Sequence, residues 1–378
     1  MYQPTHNSPF AFAFLWPALA AASASELAAV AAKQLVSLAV GEEKSPLQEP
    51  QWSTLHRIAL AMRTVRLRDF SLDSEGQPVL LCAPFALHGA AICDLVKGHS
   101  LVATLREAGL RRLFVTDWRS ATPEMQSLGI DNYLADLNVL VDEIGAPVDL
   151  IGLCQGGWMA LLYAARFPQK VRKLVLAAAP VDIKAAPSAL SALAEASSLV
   201  VFRELVRLGD GLVPGGKVLK FWGPETIEQE DIRIILESDE RIGSPGFTNL
   251  EAAFRAWHAW TLDLPGLFFL ETVEKLYHKN EIATGTFEAL GHRIDLKEVT
   301  VPIFLLAARE DELVAPEQLL AVERLVGTPS SSMQKTTIDG RHIGLFVGKA
   351  ALQNVWPEIA RWLADAPQVP AIHDRRCA

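Results

Sequence analysis

The chain has 378 residues, 50% apolar and 21% charged, enough to bury a sizeable core, which excludes a disordered chain. The formal net charge is −9 and no compact Lys/Arg cluster occurs, which excludes a nucleic-acid-binding surface, because phosphate binding needs clustered cations. The four cysteines, Cys82, Cys93, Cys154 and Cys377, form no CxxC pair and no Cys/His ladder, so neither a metal site nor a disulfide framework is expected, and free thiols in a reducing, cytoplasmic compartment are.

Residues 10–25 are uncharged and rich in Ala, Phe and Leu. No Lys or Arg precedes them, as a signal peptide would require, and Pro17 interrupts a run already too short to span a membrane. The apolar pattern continues past Glu26 and Lys33 to about residue 40. It predicts an Ala-rich amphipathic helix, packed on its own domain or on a lipid or polyester surface. Residues 41–60, beginning Gly41-Glu42-Glu43-Lys44-Ser45-Pro46, read as a linker.

A regular alternation follows. Strands are predicted over 65–70, 78–84, 113–118, 148–153 and 173–179, and helices over 100–108, 132–144 and 157–167. From about residue 186 to 295 the chain is helical, rich in Trp and Phe, and without clear strands. Strands at 302–308 and 333–338 and helices at 317–325 and 349–363 then resume. The expected organisation is an N-terminal segment and linker (1–60), a core in two parts (61–185 and 296–366), an inserted helical cap (186–295) and a tail (367–378). Strand–helix alternation with short loops specifies a mostly parallel, doubly wound α/β sheet. A cap would lie over the carboxyl ends of its strands, where ligands bind.

The segment Val148-Asp149-Leu150-Ile151-Gly152-Leu153-Cys154-Gln155-Gly156-Gly157-Trp158 carries the chemistry. A buried strand, then G-x-C-x-G, then a helix is the nucleophile-elbow pattern of the α/β-hydrolase fold, with Cys as nucleophile. Gly152 and Gly156 leave room for the sharp turn, and the helix N-terminus favours a thiolate and an oxyanion. The thiol needs a base, and this fold orders nucleophile, acid, then His. His342, in Asp339-Gly340-Arg341-His342-Ile343-Gly344, follows a late strand. His258 and His278 fall in the cap, His292 in a turn and His373 in the tail. Asp311 follows the preceding strand, with Glu310 and Glu312 as competitors and Asp182 as a second candidate. The oxyanion hole should use the backbone N–H of Gln155 and that of Phe85 or Ala86. His88 lies near enough to line the pocket.

These motifs resemble polyhydroxyalkanoate (PHA) synthases, most of all the short class III catalytic subunits. The resemblance rests on Leu150 to Gly157, Phe167-Pro168-Gln169-Lys170-Val171-Arg172, Pro180-Val181-Asp182, Ile294-Asp295-Leu296-Lys297, Asp311-Glu312-Leu313-Val314, His342-Ile343-Gly344 and Trp356-Pro357-Glu358-Ile359, and covers about residues 75–365. It implies a Cys154-His342-Asp311 site in which His activates Cys and Asp activates the incoming hydroxyl. It implies a hydroxyacyl-CoA substrate with no further cofactor or metal, and a cytoplasmic or granule-associated enzyme, alone, as a homodimer or with a second synthase subunit. Two departures stand out. The D-W-G stretch of the synthases reads Asp117-Trp118-Arg119 here, and Arg341 takes the place of the Gly before the histidine. The stretch Ala83-Pro84-Phe85-Ala86-Leu87-His88-Gly89 is closer to intracellular PHB depolymerases, which share the Cys nucleophile. Synthesis, hydrolysis by a depolymerase or thioesterase, and a non-catalytic granule coat are the readings to separate. The ordered Cys, Asp and His argue against the last.

Overall fold

Aliphatic runs bounded by turn residues form the strands of one eight-stranded sheet. The computed structural model describes residues 48–222 and 224–365, without the side chains of 220–228. The helix expected over 10–40, residues 41–47 of the linker and the tail from 367 lie outside the described residues. The strands are β1 (Arg57–Ala61), β2 (Val65–Asp69), β3 (Pro78–Cys82), β4 (Arg112–Trp118), β5 (Val148–Leu153), β6 (Val171–Ala177), β7 (Ile303–Ala308) and β8 (Met333–Ile338). Their spatial order is β1-β2-β4-β3-β5-β6-β7-β8. β2 runs antiparallel to β1 and β4, and every other pair is parallel. This is the α/β-hydrolase fold. β1 corrects one expectation, since residues 57–60 read as linker in the sequence. They are an exposed edge strand whose mixed burial gives no clean alternation.

The inner strands β3, β5 and β7 are buried along their whole length, as strands covered on both faces must be. One face carries α1 (Leu101–Glu107), the other α2 (Ile130–Ile144) and α3 (Gln155–Arg166), and each has its own apolar cluster. α3 is apolar on all sides, with Gly156 to Ala165 buried, because it runs through the core beneath the cap.

Between β6 and β7 the chain forms the cap: α4 (Ala189–Ala196), α5 (Leu199–Leu208), α6 (Gly215–Trp222), α7 (Pro224–Asp239), α8 (Pro245–Ala259) and α9 (Gly266–Glu271). α9 runs into a wider helical stretch, Thr272–His278. The cap is not free of strands. Leu212–Val213 pairs with Leu264–Pro265, and Glu288–Ala289 with His292–Arg293. Two-residue pairs are too short to leave a period-2 signature. Among the described residues no helix is long and apolar enough to cross a membrane.

Candidate active site

β5 delivers Cys154 to the carboxyl edge of the sheet, where the Cys154 N–H still bonds the Ala177 carbonyl at 2.9 Å. The backbone then reverses at Cys154, with φ 48° and ψ −120°, a conformation costing a side-chain-bearing residue on the order of 1–3 kcal/mol. α3 starts at the next residue. A Cβ on Gly152 would stand 2.6 Å from the Gly157 Cα, and one on Gly156 would stand 2.6 Å from the Ala83 carbonyl oxygen and closer still to that of Cys82. Both elbow glycines thus sit where backbone meets backbone.

The loops after β7 and β8 bring Asp311 and His342 to the same edge. Asp311 Oδ1 accepts the Leu313 and Val314 N–H groups at 3.0 and 2.8 Å. Its Oδ2 accepts from His342 Nδ1 at 2.7 Å. With Nδ1 donating to the carboxylate, Nε2 is the nitrogen left for the thiol. The His342 ring and the Cys154 thiol border the same cavity, and the sulfur is near enough to bear on the charge of the ring. All three residues are buried. A cavity of about 220 Å³ opens over Cys154 and His342, and Gln155, Phe85, Ala86 and His88 also border it. Its cap-side wall is almost wholly apolar, with Leu190, Leu193, Phe202, Phe268 and Phe269.

The rival residues are engaged elsewhere. Asp182 binds Asn280 and Arg324. Glu310 is exposed and Glu312 pairs with Arg341. His278 Nε2 bonds the Ala194 carbonyl at 2.7 Å, His258 packs against His88, and His292 is exposed. His373 lies outside the described residues. Among the described residues no cluster of three or more His, Cys, Asp or Glu gathers as metal ligands.

Comparison with known proteins agrees with this fold. Residues 98–200 match the alpha/beta hydrolase fold family and residues 249–366 the family described as PHB de-polymerase C-terminus. The poly(3-hydroxyalkanoate) polymerase subunit PhaC of Allochromatium vinosum is 27% identical over 76% of this chain and 81% of its own. The PhaC subunit of Synechocystis sp. is 30% identical over 72% of this chain and 74% of its own. This chain belongs to the poly(3-hydroxyalkanoate) polymerase subunit PhaC family. Among solved structures, the monoacylglycerol lipase of Paleococcus ferrophilus superposes with a TM-score of 0.50 at 15% identity, over 79% of this chain and 98% of the lipase. That likeness concerns the fold alone.

Electrostatics sets the protonation of this PhaC-family site. Burial alone would push the His342 imidazolium down, but the Asp311 carboxylate and the Cys154 sulfur on either side outweigh it. The ring is held well above its ordinary 6.5. Since the folded ring binds its proton more tightly than the unfolded one, the pair contributes fully to stability below about pH 6.5, and the contribution is lost as pH rises through the raised value. Carbamidomethylation of Cys154 by iodoacetamide, followed by peptide mass mapping, is expected to be about tenfold or more slower in His342→Gln than in the parent, because the variant lacks the base that takes the thiol proton. Burial pushes the Cys82 thiol up to about 12 and raises Cys93 as well, so neither should compete. Equal rates for parent and variant would disprove the pairing.

The departure at Arg341 has a structural role the sequence did not reveal. Arg341 binds Glu312, beside Asp311, at 2.6 Å and Asp231 of cap helix α7 at 3.3 Å. Asp231 also accepts the Ile343 N–H at 3.1 Å. The cap thus grips the histidine loop through a carboxylate. Burial pushes Asp231 up to about 6, although the Ile343 N–H, the His342 ring and Arg341 pull it down. A carboxyl raised on folding binds a proton more tightly when folded, so its charge costs stability above pH 6, and that cost is relieved as pH falls from 6 toward 4. The melting temperature of the parent minus that of Asp231→Asn should therefore rise over this window on acidification. A pH-independent difference would contradict the burial of this charge.

Proposed function

We propose that this chain is an acyltransferase that builds a polyester from hydroxyacyl-CoA through an acyl-Cys154 intermediate. The observation that carries this reading is the Asp311–His342 hydrogen bond facing Cys154 across one apolar cavity, with Cys154 set at a strained elbow. The Cys154 proton passes to His342 Nε2, and the sulfur attacks the thioester carbonyl carbon. Oxygen takes the negative charge and is met by the N–H groups of Gln155 and Phe85, the donors proposed for it. The carbonyl re-forms, the C–S bond to coenzyme A breaks, and the CoA sulfur takes the proton from His342. The chain-end hydroxyl then gives its proton to His342 and attacks the acyl carbonyl carbon, the C–S bond to Cys154 breaks, and the proton returns from His342 to the Cys154 sulfur. Asp311 does not activate the hydroxyl directly, contrary to what the family resemblance implied: its oxygens are taken by the Leu313 and Val314 N–H groups and by His342 Nδ1, so it holds the ring in the tautomer that both steps need. Exchange between thiol and thioester is nearly thermoneutral, so the intermediate keeps its reactivity for the second acceptor. Coenzyme A enters as part of the substrate, and the reaction asks for no cofactor or metal. The relatives named above, poly(3-hydroxyalkanoate) polymerase subunits, support this reading, and a place at polyester granules in the cytoplasm is proposed with it. A second copy or a second synthase subunit is the partner it suggests.

A second reading, hydrolysis of the same acyl-enzyme by water, is favoured by the match of residues 249–366 to a depolymerase C-terminus. The two separate by acceptor. Purified protein incubated with 3-hydroxybutyryl-CoA should release CoA and form insoluble polymer. CoA release with free hydroxy acid and no polymer would assign hydrolysis instead, and no CoA release would reject both.

A further inference from the structure

A cap residue that no motif pointed to enters the site. Tyr277 lies in the wide helical stretch Thr272–His278, where the Lys279 N–H reaches back to the Glu274 carbonyl at 2.9 Å. Such i→i+5 turns re-aim side chains and are frequent at functional sites. Tyr277 is half-buried and borders the cavity with Cys154 and His342.

The direction of its hydroxyl follows from a chain of bonds. Trp158 Nε1 lies 2.6 Å from Gln155 Oε1, and Gln155 Nε2 lies 2.7 Å from the Tyr277 oxygen. An indole N–H only donates, so the atom it meets on Gln155 must be the carbonyl oxygen. The Gln155 amide nitrogen is then the atom facing Tyr277, and it too only donates. Tyr277 is therefore the acceptor in that bond, and its own hydrogen is free to donate into the cavity. Burial beside Cys154 pushes the phenol up, so it stays protonated at working pH and serves as a donor, not as a base.

We propose that the Tyr277 hydroxyl donates a hydrogen bond to the 3-hydroxyl oxygen of the bound acyl group and so makes the site selective for 3-hydroxyacyl over plain acyl thioesters. The cap-side wall around it is hydrocarbon, so a substrate hydroxyl buried there needs a protein partner. A site built to bind a substrate hydroxyl rejects the analogue that lacks it, because a buried polar group is then left unmatched. The assignment rests on the acyl-transfer reading.

The test is single-turnover acylation of Cys154, followed by intact mass, with 3-hydroxybutyryl-CoA and butyryl-CoA. The parent should favour the hydroxyacyl thioester. Tyr277→Phe should slow acylation by the hydroxyacyl thioester about 10- to 100-fold and leave the butyryl rate within about twofold, so that the butyryl rate also reports correct folding. An equal fall with both thioesters, or no fall with either, overturns the assignment. If the parent forms no adduct with either thioester, the acyl-transfer reading itself fails and the Tyr277 assignment falls with it. Should Tyr277→Phe not fold, Trp158→Phe carries the same test. It unpins the Gln155 amide, which can then turn and take the tyrosine hydrogen, and the same selective loss is expected.

Discussion

Cys154→Ala is expected to abolish the acyl adduct seen by intact-mass measurement and to lower CoA release by 10,000-fold or more, on the order of what removal of a nucleophile costs in comparable triads. The fold should survive. Alanine keeps the Cβ that Cys154 already holds at φ 48°, and the thiol is one of only a few polar groups around a cavity lined mainly by hydrocarbon. His342 and Asp311 would stay bonded at their loop ends, because that bond does not involve the sulfur. The loss would therefore be chemical. CoA release at the parent rate from the alanine variant would remove Cys154 from the mechanism and the elbow from the site.

The second large effect belongs to stability. Gly156→Ala is expected to destabilise the fold by about 3 kcal/mol or more, in the range of severe overpacking. The added Cβ would press on the carbonyl oxygens of Cys82 and Ala83. Neither can move cheaply, because β3 is bonded on one side to β4 and on the other to β5. The same pressure falls on the turn before Phe85, so residual activity should drop further than folding alone explains. Gly344→Ala is the control, since its Cβ would meet nothing within 4 Å, and its unfolding midpoint should stay close to that of the parent. Equal denaturant midpoints for Gly156→Ala and parent would show that the elbow is not packed against β3 in this way.

The central sheet was legible because strands buried on both faces are written as continuous apolar runs between turn residues, as at residues 78–82 and 148–153. β1 was not legible. An exposed edge strand carries little hydrophobic pattern, and Arg57–Ala61 follows a polar stretch. The paired dipeptides of the cap escaped for want of length. At the site, Cys154 announced itself through glycines that backbone contact requires, and Asp311 and His342 through their places after successive late strands. Tyr277 left no such mark. A tyrosine in a helical, aromatic-rich lobe reads the same whether it faces solvent, core or cavity.

The amino-acid order by itself determined the inner strands of the sheet, the elbow and the succession of Cys154, Asp311 and His342, because each is encoded over a few neighbouring residues by burial, turn geometry and topology. Tertiary structure decided the rest. It chose Asp311 over Glu310, Glu312 and Asp182 by putting one carboxylate against the imidazole, and it set His342's proton through two partners distant in sequence. It also brought Asp231 and Tyr277 of the cap to the core's edge. Such choices depend on hydrogen bonds between segments 31 to 122 residues apart, and no local pattern records which of several like side chains folding will bring within about 3 Å of its partner.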